Sequence, residues 1–217
     1  LSNLSVNNTF LLGYGKTLSE LNISESGSFW KRLKFGISDK FDIDMSWETF
    51  TNSNKDINHI ASQYLTPSTN SARIGGKVLL FGDNSKNSFN SALRLSLGRK
   101  VFSDNWRGYF FSELINSYHL NDSLSLQLNP KLASANENIS GVGISVVYKI
   151  LKDFTIKAEH NLAIEKAEDN TTISIRKSFE DSKFIDIYSS NSYSFIDMGQ
   201  LQRSSNQKYG LRIGIIF

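Results

Sequence analysis

The chain ends on K-Y-G-L-R-I-G-I-I-F, residues 208–217. Every second side chain of this stretch is apolar or aromatic, and these residues are Tyr209, Leu211, Ile213, Ile215 and Phe217. Because successive side chains of a β-strand point to opposite faces, the alternation predicts a strand with one apolar face and one mostly small or basic face. A strand of a soluble sandwich would less often carry this pattern to its final residue, because free chain ends fray.

A closing strand that ends on phenylalanine resembles the C-terminal signal of bacterial outer-membrane β-barrels. The resemblance implies that the apolar face contacts the lipid bilayer and that Lys208 and Arg212 face a lumen. It also implies a second partner, the outer-membrane barrel assembly machinery, which would recognise the C-terminal strand ending at Phe217. We expect a location in the bacterial outer membrane and a processed or truncated chain from which a signal peptide has been removed.

Composition excludes several other classes of protein. No stretch approaches the roughly 18 consecutive apolar residues of a spanning helix, which excludes a helical membrane protein. A hydrophobic content of 39% remains compatible with a barrel, because only alternate positions have to be apolar. The net charge of +3 is too small to indicate a nucleic-acid-binding protein.

The clearest internal signal is a hairpin between residues 32 and 48. Two stretches with a period of two are joined there by a tight turn at Asp39-Lys40. Similar stretches follow along the chain, and they predict about twelve strands. We therefore predict an N-terminal lead-in over residues 1–16 and one all-β domain over 17–217, a transmembrane antiparallel up-and-down β-barrel. Phe110 and Phe111 lie side by side in one of these strands, which predicts a β-bulge.

The connections favour a membrane barrel over a soluble sandwich. If both termini are periplasmic, the connections should alternate between short periplasmic turns and longer external loops. The predicted periplasmic turns are all short, at about 39–40, 83–87, 121–122, 151–153 and 180–182. The predicted external connections include both long polar loops, 51–71 and 189–207.

Aromatic residues fall where the two membrane interfaces are expected. Four lie at predicted periplasmic strand ends, at the alternate positions whose side chains should face lipid, and they are Phe41, Phe89, Phe154 and Phe217. Those near predicted outer ends are Trp47, Trp106 and Tyr209.

The predicted lumen carries charges of both signs, with basic residues in excess. The basic residues of the inward parity are Arg32, Lys34, Arg73, Lys77, Arg94, Lys131, Lys149, Lys157, Arg176 and Arg212. The acidic ones are Asp42, Asp44, Glu48, Glu113, Glu159 and Asp186. They predict either a narrow passage that favours anions, or a plugged barrel whose charges pair across strands. About twelve strands lie between the eight that leave no free space and the sixteen that leave a channel.

Three segments resemble the meta-pathway phenol-degradation outer-membrane transporter family. They read L-K-F-G-I-S-D-K-F-D-I-D (33–44), G-G-K-V-L-L-F-G-D (75–83) and S-A-L-R-L-S-L-G (91–98). Phe35 and Val78 stand where that family has tyrosine, and its Pro-Thr-Gly after the third segment is missing. The resemblance covers about residues 30–100. It implies a barrel that passes small molecules, apolar ones included, and it identifies no substrate and no catalytic residue.

Enzymatic functions receive little support. Barrels of this size resemble outer-membrane phospholipase A and lipid A deacylases, whose hydrolysis needs a nucleophile and an oriented base. Of the three histidines, His59 lies in a loop, His119 lies beside a periplasmic turn and His160 lies on the lipid parity near the outer rim. The phospholipase motif His-x-Ser-Asn-Gly is absent, so we expect no enzyme and no catalytic residue. We also expect no metal site and no cofactor.

The sequence therefore predicts a porin-like outer-membrane channel for the passive passage of small solutes, whose identity it leaves open. Loops 51–71 and 189–207 would narrow its external mouth. The alternative is a sealed structural or surface-binding barrel that acts through the same loops. A barrel lipid hydrolase is a remote alternative.

Overall fold

The structure is a computed structural model that describes residue 9 and residues 11–49, 70–82, 88–101, 108–180 and 182–217. In this part of the chain, twelve antiparallel strands form a closed barrel in which each strand pairs with its neighbours in sequence and β1 pairs with β12. The strands are β1 (Thr17–Ser24), β2 (Phe29–Ser38), β3 (Phe41–Thr49), β4 (Asn70–Phe81), β5 (Phe89–Val101), β6 (Gly108–His119), β7 (Leu124–Ser134), β8 (Asn138–Leu151), β9 (Phe154–Glu165), β10 (Asn170–Phe179), β11 (Lys183–Ser192) and β12 (Arg203–Ile216). One 3-10 helix, η1 (Asp197–Leu201), lies between β11 and β12. The predicted up-and-down barrel is thus confirmed.

The alternation in the sequence sets which face each side chain occupies. In β12, Lys208 and Arg212 are buried in the barrel, whereas Tyr209, Leu211 and Ile213 are exposed on its outer surface. The seam between β1 and β12 is closed by regular pairing, in which Leu21 lies opposite Ile213. Backbone hydrogen bonds extend this pairing to the end of the chain, because Phe217 N donates to Thr17 O over 2.8 Å.

Two predicted connections differ from the structure. The predicted loop 189–207 is wrong at both ends, because β11 continues to Ser192 and β12 begins at Arg203. The Ser and Asn residues at its two ends occupy strand positions near the end of the barrel, and their polar character gives no apolar alternation that would distinguish them from a loop. The predicted loop 51–71 overlaps β4, which begins at Asn70, while its residues 51–69 lie outside the described part. The turn 83–87 also lies outside the described part.

The predicted bulge at Phe110 and Phe111 is also wrong. The pairing of β5 with β6 runs in one register from Phe89↔Tyr118 to Arg99↔Gly108. Phe110 points outward, and Phe111 points into the barrel, where it is fully buried. The two adjacent phenylalanines therefore occupy opposite faces of a regular strand, and the inner one packs in an apolar cluster.

The lead-in before β1 enters the end of the barrel at which the chain termini lie. Leu11 packs against Leu79 and Ala92, and Leu12 packs in a second cluster with Leu18 and Phe184. The Leu12 backbone N donates to both carboxylate oxygens of Asp42, over 3.1 Å each. The proposed division into a lead-in and a barrel domain stays a prediction. No helix among the described residues is long and apolar enough to cross a membrane.

Candidate functional site in the barrel lumen

The structure places all the lumen-lining residues predicted by alternation on the inner face of the wall. Fourteen are buried, and they are Arg32, Lys34, Asp42, Asp44, Glu48, Arg73, Lys77, Arg94, Glu113, Lys131, Glu159, Arg176, Asp186 and Arg212. Lys149 and Lys157 also lie on the inward parity of β8 and β9 and are half-buried. Their part in any passage of solute stays a prediction.

The aromatic residues predicted to lie at the membrane interfaces are on the outer face where the structure describes them. Trp47, Tyr209 and Phe217 are exposed there. Phe41, Phe89 and Phe154 lie on the same outward parity and are half-buried, and Trp106 lies outside the described residues. The assignment of all seven to membrane interfaces stays a prediction.

The inward charges of β1 to β4 form a connected network of ion pairs. Arg32 Nη1 lies 3.2 Å from Glu20 Oε2, and Arg32 Nε donates to Asp44 Oδ2 over 2.6 Å. Arg73 Nη2 reaches the same Asp44 oxygen over 2.7 Å. Registered strand pairing brings these groups together, since Glu20 lies directly opposite Arg32. Such pairing compensates much of the cost of removing the charges from water.

A second set of charges continues the network across β5 to β9. Arg94, Glu113 and Lys131 lie opposite one another on consecutive strands. Glu113 lies 3.6 Å from Arg94 and 3.7 Å from Lys131, measured between charged atoms. Lys131 and Lys157 both pair with Glu159, over 3.0 and 2.7 Å.

The connection between β11 and β12 folds into the lumen. We call residues 193–202 the inner segment. Its residues Met198 and Leu201 are buried in an apolar cluster formed mainly by side chains of the wall. The other members of this cluster are Tyr109, Phe111, Ala133, Ile139 and Tyr193. Burial raises the pKa of the Tyr193 phenol, so this ring stays neutral at physiological pH.

Polar contacts hold the inner segment, which leaves the wall between β11 and β12, to several other strands around the lumen. Ser194 Oγ donates to Glu48 Oε1 over 2.6 Å on β3, and Lys131 Nζ donates to Gln200 Oε1 over 2.8 Å on the side of β7. The carboxylate of Asp197 contacts Arg73 and Arg94 on β4 and β5. The inner segment therefore spans the lumen from one side to the other.

Two cavities beside the inner segment show how little space it leaves around itself. One has a volume of about 40 Å³ and lies among Lys157, Glu159 and Arg212. The other has a volume of about 20 Å³ and lies between Trp30 and Lys208. A cavity needs roughly 10–15 Å³ of such volume to hold one water molecule, so these two have room for no more than a few waters. The free space beside the inner segment is therefore narrow at these two places.

Sequence reasoning missed several charged groups of the lumen. Glu20 and Lys100 are buried on the inward parity, but both lie near the ends of strands that the sequence defines weakly. Asp197 was assigned to an external loop, and it is fully buried. No periodicity marks it, because it lies outside the strands.

A family comparison identifies the chain. The profile of a family described as "Membrane bound beta barrel domain (DUF5777)" matches residues 23–214. The chain belongs to this family. A comparison with curated proteins found no match to the sequence.

Solved porin structures share the fold. The KdgM porin in complex with disordered oligogalacturonate superposes with a TM-score of 0.65 at 11% identity, covering 93% of this chain and 98% of that one. The NanC porin gives 0.59 at 13% identity, with 92% and 98% covered. The membrane-bound family and the porin fold place the chain in the bacterial outer membrane, which confirms the predicted location. None of these matches supports the finer resemblance to the phenol-degradation transporters.

The histidines that the structure describes make polar contacts with hydroxyl groups. The His160 Nδ1 lies 2.8 Å from Thr171 Oγ1 on the outer face, and the His119 Nδ1 lies 2.7 Å from Ser125 Oγ. His59 lies outside the described residues. In the described ranges, no group of three or more His, Cys, Asp or Glu residues could hold a metal ion.

Proposed function

We propose that this barrel is an outer-membrane channel for the passive passage of small charged solutes, and that the inner segment closes it in this conformation. The observation that carries the proposal is a porin-like wall lined by charged side chains, closed by one connection between two strands. Replacing buried ion pairs by well-packed apolar residues is often neutral or stabilising. A permanently sealed scaffold would therefore gain no stability from so many inward charges, whereas a passage for ions and polar solutes needs them.

The charged wall favours polar over apolar solutes. The resemblance to phenol-degradation transporters implied that apolar molecules could pass. Such molecules would have to cross a lumen lined by the networks of Asp44, Glu159 and Asp186, without supplying hydrogen bonds to these groups. Their passage would desolvate the charges and is therefore unfavourable.

A bilayer recording tests the channel. The refolded chain is inserted into a planar bilayer under a salt gradient, next to a variant whose residues 195–201 are replaced by a glycine-serine linker of equal length. We expect rare openings of the unmodified chain and steady discrete steps of the variant, with a reversal potential that favours anions. A variant that is folded and inserted, but stays silent even after residues 1–12 are also removed, would contradict the channel.

A sealed barrel is the second candidate, and one observation favours it. Leu11 and Leu12 fill the opposite end of the lumen, where they pack on wall residues such as Leu79 and Phe184. If this filling is permanent, both proteins in the recording will be silent. Removing residues 1–12 as well would then distinguish a second gate from a true seal, since only a gate would give conductance.

Recognition by the barrel assembly machinery remains a proposal for the C-terminal strand. It is supported by the outward row of Tyr209, Leu211, Ile213 and Phe217, which leaves an apolar signal accessible on the outer surface. The proposal predicts slower membrane insertion of a chain that lacks Phe217 when insertion is followed with purified assembly machinery.

A further inference from the structure

Inside the lumen, Asp197 occupies a site with the chemistry of a carboxylate receptor. We propose that Arg73, Arg94 and Ser96 form a binding site for the carboxylate of a small solute. The Asp197 side chain occupies this site in the present conformation and competes with the solute for it. The inference rests on the proposed channel function, because it names the class of solute that would pass.

Both oxygens of the Asp197 carboxylate are engaged, each by different donors. Oδ1 accepts from Arg73 Nη1 over 3.1 Å and from Arg94 Nη2. Oδ2 accepts from Ser96 Oγ over 2.5 Å. Charge-assisted hydrogen bonds to both oxygens of one group are the usual way in which proteins bind carboxylates. The two arginines and the serine come from the adjacent strands β4 and β5, so the wall alone builds the site.

Local charge makes the site attractive to an anion once Asp197 leaves. Arg73 would keep its bond to Asp44, which Arg32 also uses. Within the described part of the chain, Arg94 would keep one ion pair, between its Nη1 and Glu113 over 3.6 Å, and Glu113 also faces Lys131. The positive charge at the site would then exceed the negative charge, and burial strengthens the attraction of an incoming anion.

The site also offers donors that Asp197 does not use. Among the described residues, Arg94 Nε and Nη1 have no hydrogen-bond acceptor, although the side chain is 1% exposed. Gly75 lies opposite Ser96, and a Cβ at this glycine would come within 2.9 Å of the Ser96 Cβ. The missing side chain therefore allows Ser96 and Asp44 to lie this close to the backbone of β4 beside the arginines. A carboxylate that carries a neighbouring hydroxyl or carbonyl oxygen would use these spare donors.

The backbone of the inner segment suits a reversible attachment. Asp197 has a φ of 49°, in the left-handed region that residues other than glycine rarely adopt. Such a conformation is unfavourable for a residue with a side chain and persists only when other contacts hold it. Here those contacts include the two arginines. A free carboxylate that binds them would release Asp197, and the inner segment would leave the lumen when the solute arrives.

Chemical rescue of Asp197→Gly tests the site without any measurement of conductance. This substitution removes a carboxymethyl group, for which acetate is the free equivalent, and glycine accepts the left-handed backbone. We expect acetate to raise the thermal unfolding midpoint of the variant by about 2–5 °C above sodium chloride of equal ionic strength. Acetamide, which is neutral and of the same shape, should give no rise, and acetate should not raise the unfolding midpoint of the unmodified chain, in which Asp197 already fills the site.

The double variant D197G/R94Q shows whether a response comes from this site, and it should lose the effect of acetate. A rise that survives R94Q, or an equal rise with chloride, acetamide or sulfate, would overturn the carboxylate site. If D197G does not refold, D197N provides the second route, because asparagine tolerates the left-handed backbone. Acetate should then raise the open probability of the unmodified channel more than that of D197N, and equal responses would overturn the proposal.

The two readouts separate this inference from the proposed function. Rescue by acetate with no conductance in any variant would leave the anion site standing and contradict passage. If the channel conducts but acetate changes neither its open probability nor the unfolding midpoint of D197G, the channel function is supported and the carboxylate site is overturned.

Discussion

Asp186 shows how strongly the inward charges depend on one another. It lies between Arg176 and Arg212 of the neighbouring strands β10 and β12, and Arg176 donates to both of its oxygens over 2.5 and 2.7 Å. Arg212 completes the group through a third contact. Because all three side chains are nearly excluded from solvent, removing the central carboxylate leaves two guanidinium groups facing each other. Loss of one partner of a buried ion pair costs about 3–5 kcal/mol.

We therefore predict that Asp186→Ala lowers the thermal unfolding midpoint of the barrel by several degrees. Thermal unfolding followed by circular dichroism in detergent measures this. Glu137→Gln is the matched control, because Glu137 forms an ion pair with Lys166 over 2.8 Å that is exposed to solvent. The control should unfold at the same temperature as the unmodified chain. Equal effects of the two substitutions would show that the buried triad is not a significant source of stability.

At the scale of elements, the inner segment binds through apolar contacts as well as through Asp197. Met198 is fully buried in the cluster that contains Phe111 and Ile139, so its side chain anchors the segment to the wall. Truncating a buried methionine to alanine costs about 2–5 kcal/mol. Since the cluster lies inside the barrel, most of this loss should fall on the attachment of the segment and little on the strand pairing.

The prediction is that Met198→Ala raises the open probability of the channel in planar bilayers while the barrel stays folded. Met45→Ala is the matched control, because Met45 is the other methionine of the chain and lies 45% exposed on the outer face. We expect the control to gate like the unmodified chain. If both variants gate alike, apolar anchoring of the inner segment does not control opening.

At the scale of the whole molecule, we expect a passage through the lumen to pass Lys149, which lies inward on β8 near the end of the barrel at which β1 begins and β12 ends. Arg94 and Arg176 are poor choices for testing ion selectivity, because each is buried against a carboxylate. Lys149 is only half-buried, so its charge can be reversed with less risk to folding.

We predict that Lys149→Glu moves the reversal potential towards cations in the variant that lacks the inner segment, because the charge that lines a narrow pore selects against ions of the same sign. The control is Lys183→Glu, which reverses an exposed lysine at the same end of the barrel but on the outward parity. Bilayer recordings under a salt gradient measure both. An unchanged reversal potential for Lys149→Glu would place the ion path elsewhere.

The order of the strands and the faces of their side chains were determined by the sequence alone, although the ends of β4, β11 and β12 were not. The period of two places Arg32, Asp44 and Arg212 inside the barrel and Leu211 and Ile213 outside, because side-chain direction in a strand is a local property of the backbone. Antiparallel pairing of sequence neighbours needs only short turns, so the barrel order also followed from the sequence.

The tertiary structure alone decided what the lumen contains. Asp197 is separated from Arg73 by 124 residues and from Arg94 by 103, and no local pattern encodes a contact over such distances. The inward position of Phe111 could not be predicted from the sequence either. An aromatic side chain inside the barrel is explained only by the apolar cluster that it forms with Met198 and Leu201. In a strand, the alternation of residues predicts which side chains face inward. A segment without such alternation is positioned only by its contacts with the closed barrel, which the sequence does not show.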